Sequence, residues 1–144
     1  MAGVVFYQVT AAEAKELKAS PKKLSSLIKK DRPKLDIGET GFQIDLALLY
    51  ILEKINEPDL ANAIGGGNLI GNDNYFIRHH TSKKVKEISS ALQKVTNDDF
   101  TEAYLSIGAS SNDVETLGWR PLKSITEFYL DASKKRKAII ETIY

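Results

Sequence analysis

Two short segments near the ends of this 144-residue chain set the terms for its fold: Val4 to Val9, and Ala138 to Tyr144. Both are rich in β-branched and aromatic residues, which suit buried strands. A strand leaves backbone N–H and C=O groups unpaired until a second strand meets it. Most of the chain between them has helical periodicity. The two end segments are therefore expected in one small sheet packed with about five to six helices, an α+β fold in a single domain spanning residues 1–144.

The intervening helices announce themselves through their caps. Thr10 and Glu13 form a capping box, with a short helix to about Lys18. Ser20-Pro21 restarts a second helix, with Leu24, Leu27 and Ile28 on its inner face, and Arg32-Pro33 ends it. From Gly41 to Ile55 apolar residues fall almost all round the wheel, which predicts a central, largely buried helix. Tyr75 to Arg78 reads as a strand. Thr81 or Ser82 caps a helix with Val85, Ile88, Leu92 and Val95 at helical spacing, and Thr96 caps another. Trp119, Leu122, Ile125, Phe128 and Ala132 mark the inward stripe of a last helix, which ends in the basic run Lys134 to Lys137.

Composition excludes several function classes. The chain has no cysteine, so thiolate nucleophiles, disulfides and cysteine-ligated metals are out. No run approaches the roughly 18 apolar residues of a membrane span, and the first residues lack a signal-peptide pattern; a cytoplasmic location is expected. A net charge of +1 argues against nucleic acid as the partner, and the charge is unevenly placed. Lys15 to Lys34 holds eight basic residues against Glu16 and Asp31, a net +6, while Asn97 to Glu115 holds five acids and no base. Such poles serve solubility or steer a charged protein partner.

Glycines 65, 66, 67 and 71 are the first place to look for chemistry. Gly66 and Gly71 have phosphate-loop spacing, but Asn72 and Asp73 follow where lysine and a hydroxyl are required. Ile70 occupies the third glycine position of a dinucleotide fingerprint. The segment reads as a turn, and no cofactor is expected. His79 and His80 are the two histidines; adjacent on a strand they point to opposite faces, a poor arrangement for one metal ion. Asp45 is the one acid amid apolar neighbours in its helix, and a carboxylate there must be paired, hydrogen-bonded or aimed at a crevice. No catalytic or metal-ligating set is assigned. The candidate ligand- or partner-binding residues are Asp45, Asn72, Asp73, Tyr75, Arg78 and His79.

The order of these segments resembles the YfbM-like family, bacterial domains without an established function. The resemblance spans nearly the full length. It rests on the opening Gly3-Val4-Val5-Phe6-Tyr7-Gln8-Val9, on Leu35-Asp36-Ile37 before the central helix, and on the glycine segment from Ala63 to Gly71. Tyr75-Phe76-Ile77-Arg78 then precedes Lys83-Lys84-Val85-Lys86-Glu87-Ile88. The resemblance implies a compact cytosolic α+β domain. It sets Gly41 and Asp45 where relatives often carry a Trp-x-x-x-His pattern.

Two functions from different classes follow. One is a stoichiometric protein-binding module, an immunity protein that neutralises a toxin being a concrete version, since binders need complementarity rather than a reactive centre. The other is a small-molecule-binding or enzymatic domain with a pocket near the glycine-rich segment and His79.

Overall fold

In the computed structural model, which describes residues 3–70 and 76–144, β1 (Val4–Val9) and β5 (Ala138–Ile143) lie side by side. They pair antiparallel from Val4 opposite Ile143 to Val9 opposite Ala138. Two more strands, β2 (Lys34–Gly38) beside β1 and β4 (Ile77–His80) beside β5, flank this pair. β3 (Asn68–Ile70) pairs with β4, so the five strands run β2-β1-β5-β4-β3, all antiparallel. The segments near the two ends thus form the centre of the sheet, in an α+β fold.

Alternation along these strands divides the core into two layers. Val4, Phe6 and Ile139 face one side, covered by α3 (Thr40–Ile55), α4 (Ser82–Leu92), α5 (Asn97–Ser106) and α6 (Arg120–Lys134). Val5, Tyr7, Val9, Ile77 and Ile140 face the other, covered by α1 (Ala11–Ala19) and α2 (Leu24–Lys29). The basic residues of 15–34 belong to this second layer and its connections, and the acids of 97–115 to the first.

The capping box forms as the sequence requires: Glu13 N–H donates to the Thr10 hydroxyl at 3.1 Å and Thr10 N–H to the Glu13 carboxylate at 2.9 Å. The same carboxylate accepts from Arg32 at 2.7 and 3.1 Å. Arg32 also donates to the carbonyls of Leu27 and Gln8. One guanidinium therefore ties β1, α1 and α2 together. Its hydrogen bonds are the main reason that the Glu13 carboxyl is held down at about 2.

Three elements differ from the sequence reading. Leu35-Asp36-Ile37 lies in edge strand β2 rather than simply leading into a helix; with Lys34 and Asp36 exposed, its alternation is too short to stand out. The strand expected at Tyr75–Arg78 begins at Ile77 and continues through His80. A π-helical segment over Val114–Trp119, which no periodicity announces, leads into α6 and packs Gly118 against Phe100 and Tyr104.

The largest departure concerns α3. Gly41, Ile44, Ala47, Leu48 and Ile51 are buried, but Phe42, Leu46, Leu49 and Tyr50 are exposed. The helix is apolar on both sides and buried on one. A Cβ on Gly41 would stand 3.0 Å from both Val4 and Ile37 side chains, so a tryptophan finds no room at this position. Among the described residues, no helix is long and apolar enough to cross a membrane.

Candidate functional site

β4 has four residues and splits its polar side chains between the two faces of the sheet. Arg78 and His80 point toward the α3–α6 layer, while Ile77 packs in the α1–α2 layer and His79 follows it there. Proximity confirms the division: His80 lies 6.4 Å, ring to ring, from Tyr129 of α6, whereas His79 feels the charge of Lys18 in α1.

On the α3–α6 side a polar cluster interrupts the core. Arg78 of β4 and Glu141 of β5 are directly opposed in the ladder, and Asp45 enters from α3. Glu141 is 1% exposed and accepts from the Gly65 N–H through both carboxylate oxygens, each at 3.0 Å. Gly65 makes this approach with φ at +71°, a conformation that side-chain-bearing residues rarely adopt. A Cβ added there would lie 3.6 Å from Asp45 Oδ2, which places the two carboxylates on either side of one backbone turn. Tyr129, buried in the same layer, donates its hydroxyl to the Ala63 carbonyl at 2.8 Å. The segment from Ala63 to Gly67 is therefore fastened to the sheet by α6 and β5.

Burial governs the protonation of this cluster. It pushes the Asp45 carboxyl up to about 6, opposed by the positive charge of Arg78. It pushes Glu141 up to about 7; the Gly65 N–H and Arg78 pull it down, and Asp45 adds to the rise. Tyr129 is raised well above its ordinary value by burial and by the charge of Glu141. Asp45 Oδ1 and Arg78 Nε are buried without a hydrogen-bond partner among the described residues. Two acids that titrate near neutrality beside a guanidinium can exchange a proton or receive a donor-bearing group.

A separate hollow of about 380 Å³ opens at the Asn68–His79 end of the β3–β4 ribbon. Asn62, Gly67, Asn68, His79, His80, Thr81 and Lys84 line it. Burial lowers the His79 imidazole and takes His80 down to about 4, with the charges of His79, Lys84 and Arg78 adding to the effect on His80. The Asn62 carbonyl favours the charged form of His80 without making a hydrogen bond of regular geometry. Gly67 seals the imidazole: with φ at +88°, it sits where a Cβ would be 2.7 Å from His80 Cε1.

Of the sequence candidates, Asp45 and Arg78 come together on one side of the sheet, and His79 lines the hollow. Asn72, Asp73 and Tyr75 lie outside the described residues. Glu141, Tyr129 and His80 were missed as members of the cluster and hollow. For Glu141 a signal existed, since it is the one acid in the otherwise apolar last strand. Among the described residues, no group of three His, Cys, Asp or Glu side chains is placed to hold a metal ion.

Comparison with known proteins gives the fold a precedent and leaves the chemistry open. The family model described as "Domain of unknown function (DUF1877)" matches residues 1–142. The crystal structure of YfbM from Escherichia coli, a protein of unknown function, is similar at a TM-score of 0.73. That likeness covers 99% of each chain at 12% identity, and so speaks for the fold alone. No curated protein matches.

Proposed function

The chain belongs to the DUF1877 family of domains of unknown function, and with no activity to inherit we propose that it is a stoichiometric protein-binding module that docks through the outer face of α3. One observation carries this reading. Phe42, Leu46, Leu49 and Tyr50 stand 37–54% exposed along one side of α3, over about two turns. Helix propensity asks for no such stripe, and a solvated face is ordinarily polar. Covering what remains exposed of such side chains is worth about 1 kcal/mol each.

The basic α1–α2 layer and the acidic α5 region give the domain opposed poles that favour steered association. A cytoplasmic inhibitor that occupies a toxin domain, an immunity protein, is one concrete form of this function.

The test has two stages. A photo-crosslinking residue at position 46 identifies the partner in cells, and the purified partner is then titrated calorimetrically. Expected are a 1:1 complex, an association rate that falls with added salt, and weakening by about 100-fold in Leu46→Glu with unchanged thermal stability. If the purified partner binds parent and Leu46→Glu equally, or if the stripe only joins two copies of this chain, the reading is wrong.

A second reading, a polar small-molecule site, is favoured by the raised carboxyls of Asp45 and Glu141 beside Arg78. It predicts that small amines raise the melting temperature of the parent and leave Asp45→Asn unmoved. Equal shifts in the two proteins would remove it.

A further inference from the structure

The hollow at the start of α4 lies apart from the α3 stripe, and its lining is unusual in sign. Lys84 contributes an ammonium, Asn62, Asn68 and Thr81 are neutral, and no carboxylate is among the lining residues. Asp59 and Glu87 pair with Lys84 but do not line the hollow themselves. The hollow also sits at the N-terminal end of an 11-residue helix, where the first N–H groups have no partner within the helix. Thr81 caps one of them by accepting from Lys84 N–H at 3.2 Å, and its carbonyl accepts from Val85 N–H. Of this first turn Thr81 and Lys84 line the hollow, and the helix dipole favours an anion there.

A second observation is independent of the helix. His80 is 1% exposed and His79 5% exposed, and both line the hollow. Neither ring nitrogen of His80 has a hydrogen-bond partner among the described residues, nor does Nδ1 of His79. The neutral ring of His80 carries one N–H, and a buried N–H without a partner costs about 1–3 kcal/mol, so His80 implies an acceptor. Gly67 is what holds this arrangement, because any side chain there would strike His80. From these placements we infer that the hollow between β4 and the start of α4 binds a small oxyanion, a phosphate or phosphate-ester group. The anion accepts from His80, the Asn68 amide and Lys84 at the first turn of α4.

The charges that face His80 fit this assignment. Burial first, and then the charges of Lys84, Arg78 and any protonated His79, keep its ring neutral. A bound dianion reverses that balance and favours the imidazolium. The site lies at the Asn68–His79 end of the β3–β4 ribbon.

The experiment follows the ring nitrogens of His79 and His80 by NMR while inorganic phosphate is added to the full chain. Chloride at matched ionic strength is the control, and glycerol phosphate is a second arm that separates free phosphate from its esters. Expected are saturable shifts of the His80 imidazole, with a dissociation constant in the millimolar range or tighter. The apparent titration of His80 should rise by about one unit or more. Lys84→Gln should weaken binding by about 10-fold, and Asn68→Ala, an exposed change that leaves the core intact, by about 3-fold. Shifts that chloride reproduces, or imidazoles unmoved by about 20 mM of both phosphates, would overturn the assignment.

Discussion

Glu141 meets Gly65 with both carboxylate oxygens 3.0 Å from one backbone N–H, deep against the sheet. A single N–H does not replace the water lost on burial, and the carboxyl rises from 4.5 to about 7. Asp45 rises from 3.8 to about 6 beside it. These two acids therefore hold more protons in the folded chain than in the unfolded one, so their contribution to stability falls as pH rises from about 4 to about 7 and is level above. His80, pushed down to about 4, contributes in the opposite direction up to about pH 6.5. The two acids interact, and the profile belongs to the pair. Glu141→Gln should flatten the decline, which amounts to on the order of 3 kcal/mol for Glu141. Melting temperatures of parent and variant between pH 4 and 8 check this. A Glu141→Gln variant whose pH profile runs parallel to the parent's would contradict the burial of this acid.

Acid below that window acts in the other direction, through Glu13. Its carboxyl is depressed to about 2 chiefly by hydrogen bonds from Arg32, so its contribution is complete above 4.5 and fades as pH falls toward 2. Arg32 is only 8% exposed by its side chain, so Glu13→Gln leaves a buried guanidinium short of its counter-charge. The expected cost at pH 7 is about 2–4 kcal/mol in urea unfolding, and it should shrink at pH 2.

Tyr129 offers a cleaner single contact. Its hydroxyl is buried and donates 2.8 Å to the Ala63 carbonyl, joining α6 to the segment that carries Gly65 and Gly67. Tyr129→Phe keeps the ring in place and orphans that carbonyl, at a cost of about 1–3 kcal/mol. Because Gly67 closes over His80, amide exchange at residues 63–67 should also speed up. Unchanged exchange there would show that β5 alone fastens the segment.

How much of this was readable beforehand depends on whether the determining contact was local. Thr10 with Glu13, Thr81 and Thr96 cap helices through bonds that span three residues, and the sequence spells them out. The pairing of β1 with β5 was legible for a different reason, since two plainly apolar strands have few alternatives. The polar cluster was not. Asp45 and Arg78 drew attention singly, but their meeting with Glu141 depends on a ladder register that places Arg78 opposite Glu141. Gly65 to Gly67 read as a turn because glycine signals freedom. Here it signals close approach, to Asp45 at one residue and His80 at another. His79 and His80 were correctly divided by alternation, yet their common hollow forms at the open end of a ribbon, where both faces are within reach.

The α3 stripe raises the hardest ambiguity, because core and interface are built from the same residues. Leu46 and Leu48 are two positions apart and chemically identical, but Leu48 is fully buried in the sheet-facing core while Leu46 is 54% exposed. Periodicity over this helix could not separate them, since apolar residues surround it. Their substitution should. Leu48→Ala empties a packed site and is expected to cost about 2–5 kcal/mol of folding stability. Leu46→Ala removes surface that water already reaches, and is expected to fall within about 0.5 kcal/mol of the parent. Denaturant unfolding of the two variants checks the contrast. A Leu46 that proves as costly as Leu48 would be a core residue of the free chain. A Leu46 that is neutral for stability leaves its apolar character to be explained by what the helix meets in a complex.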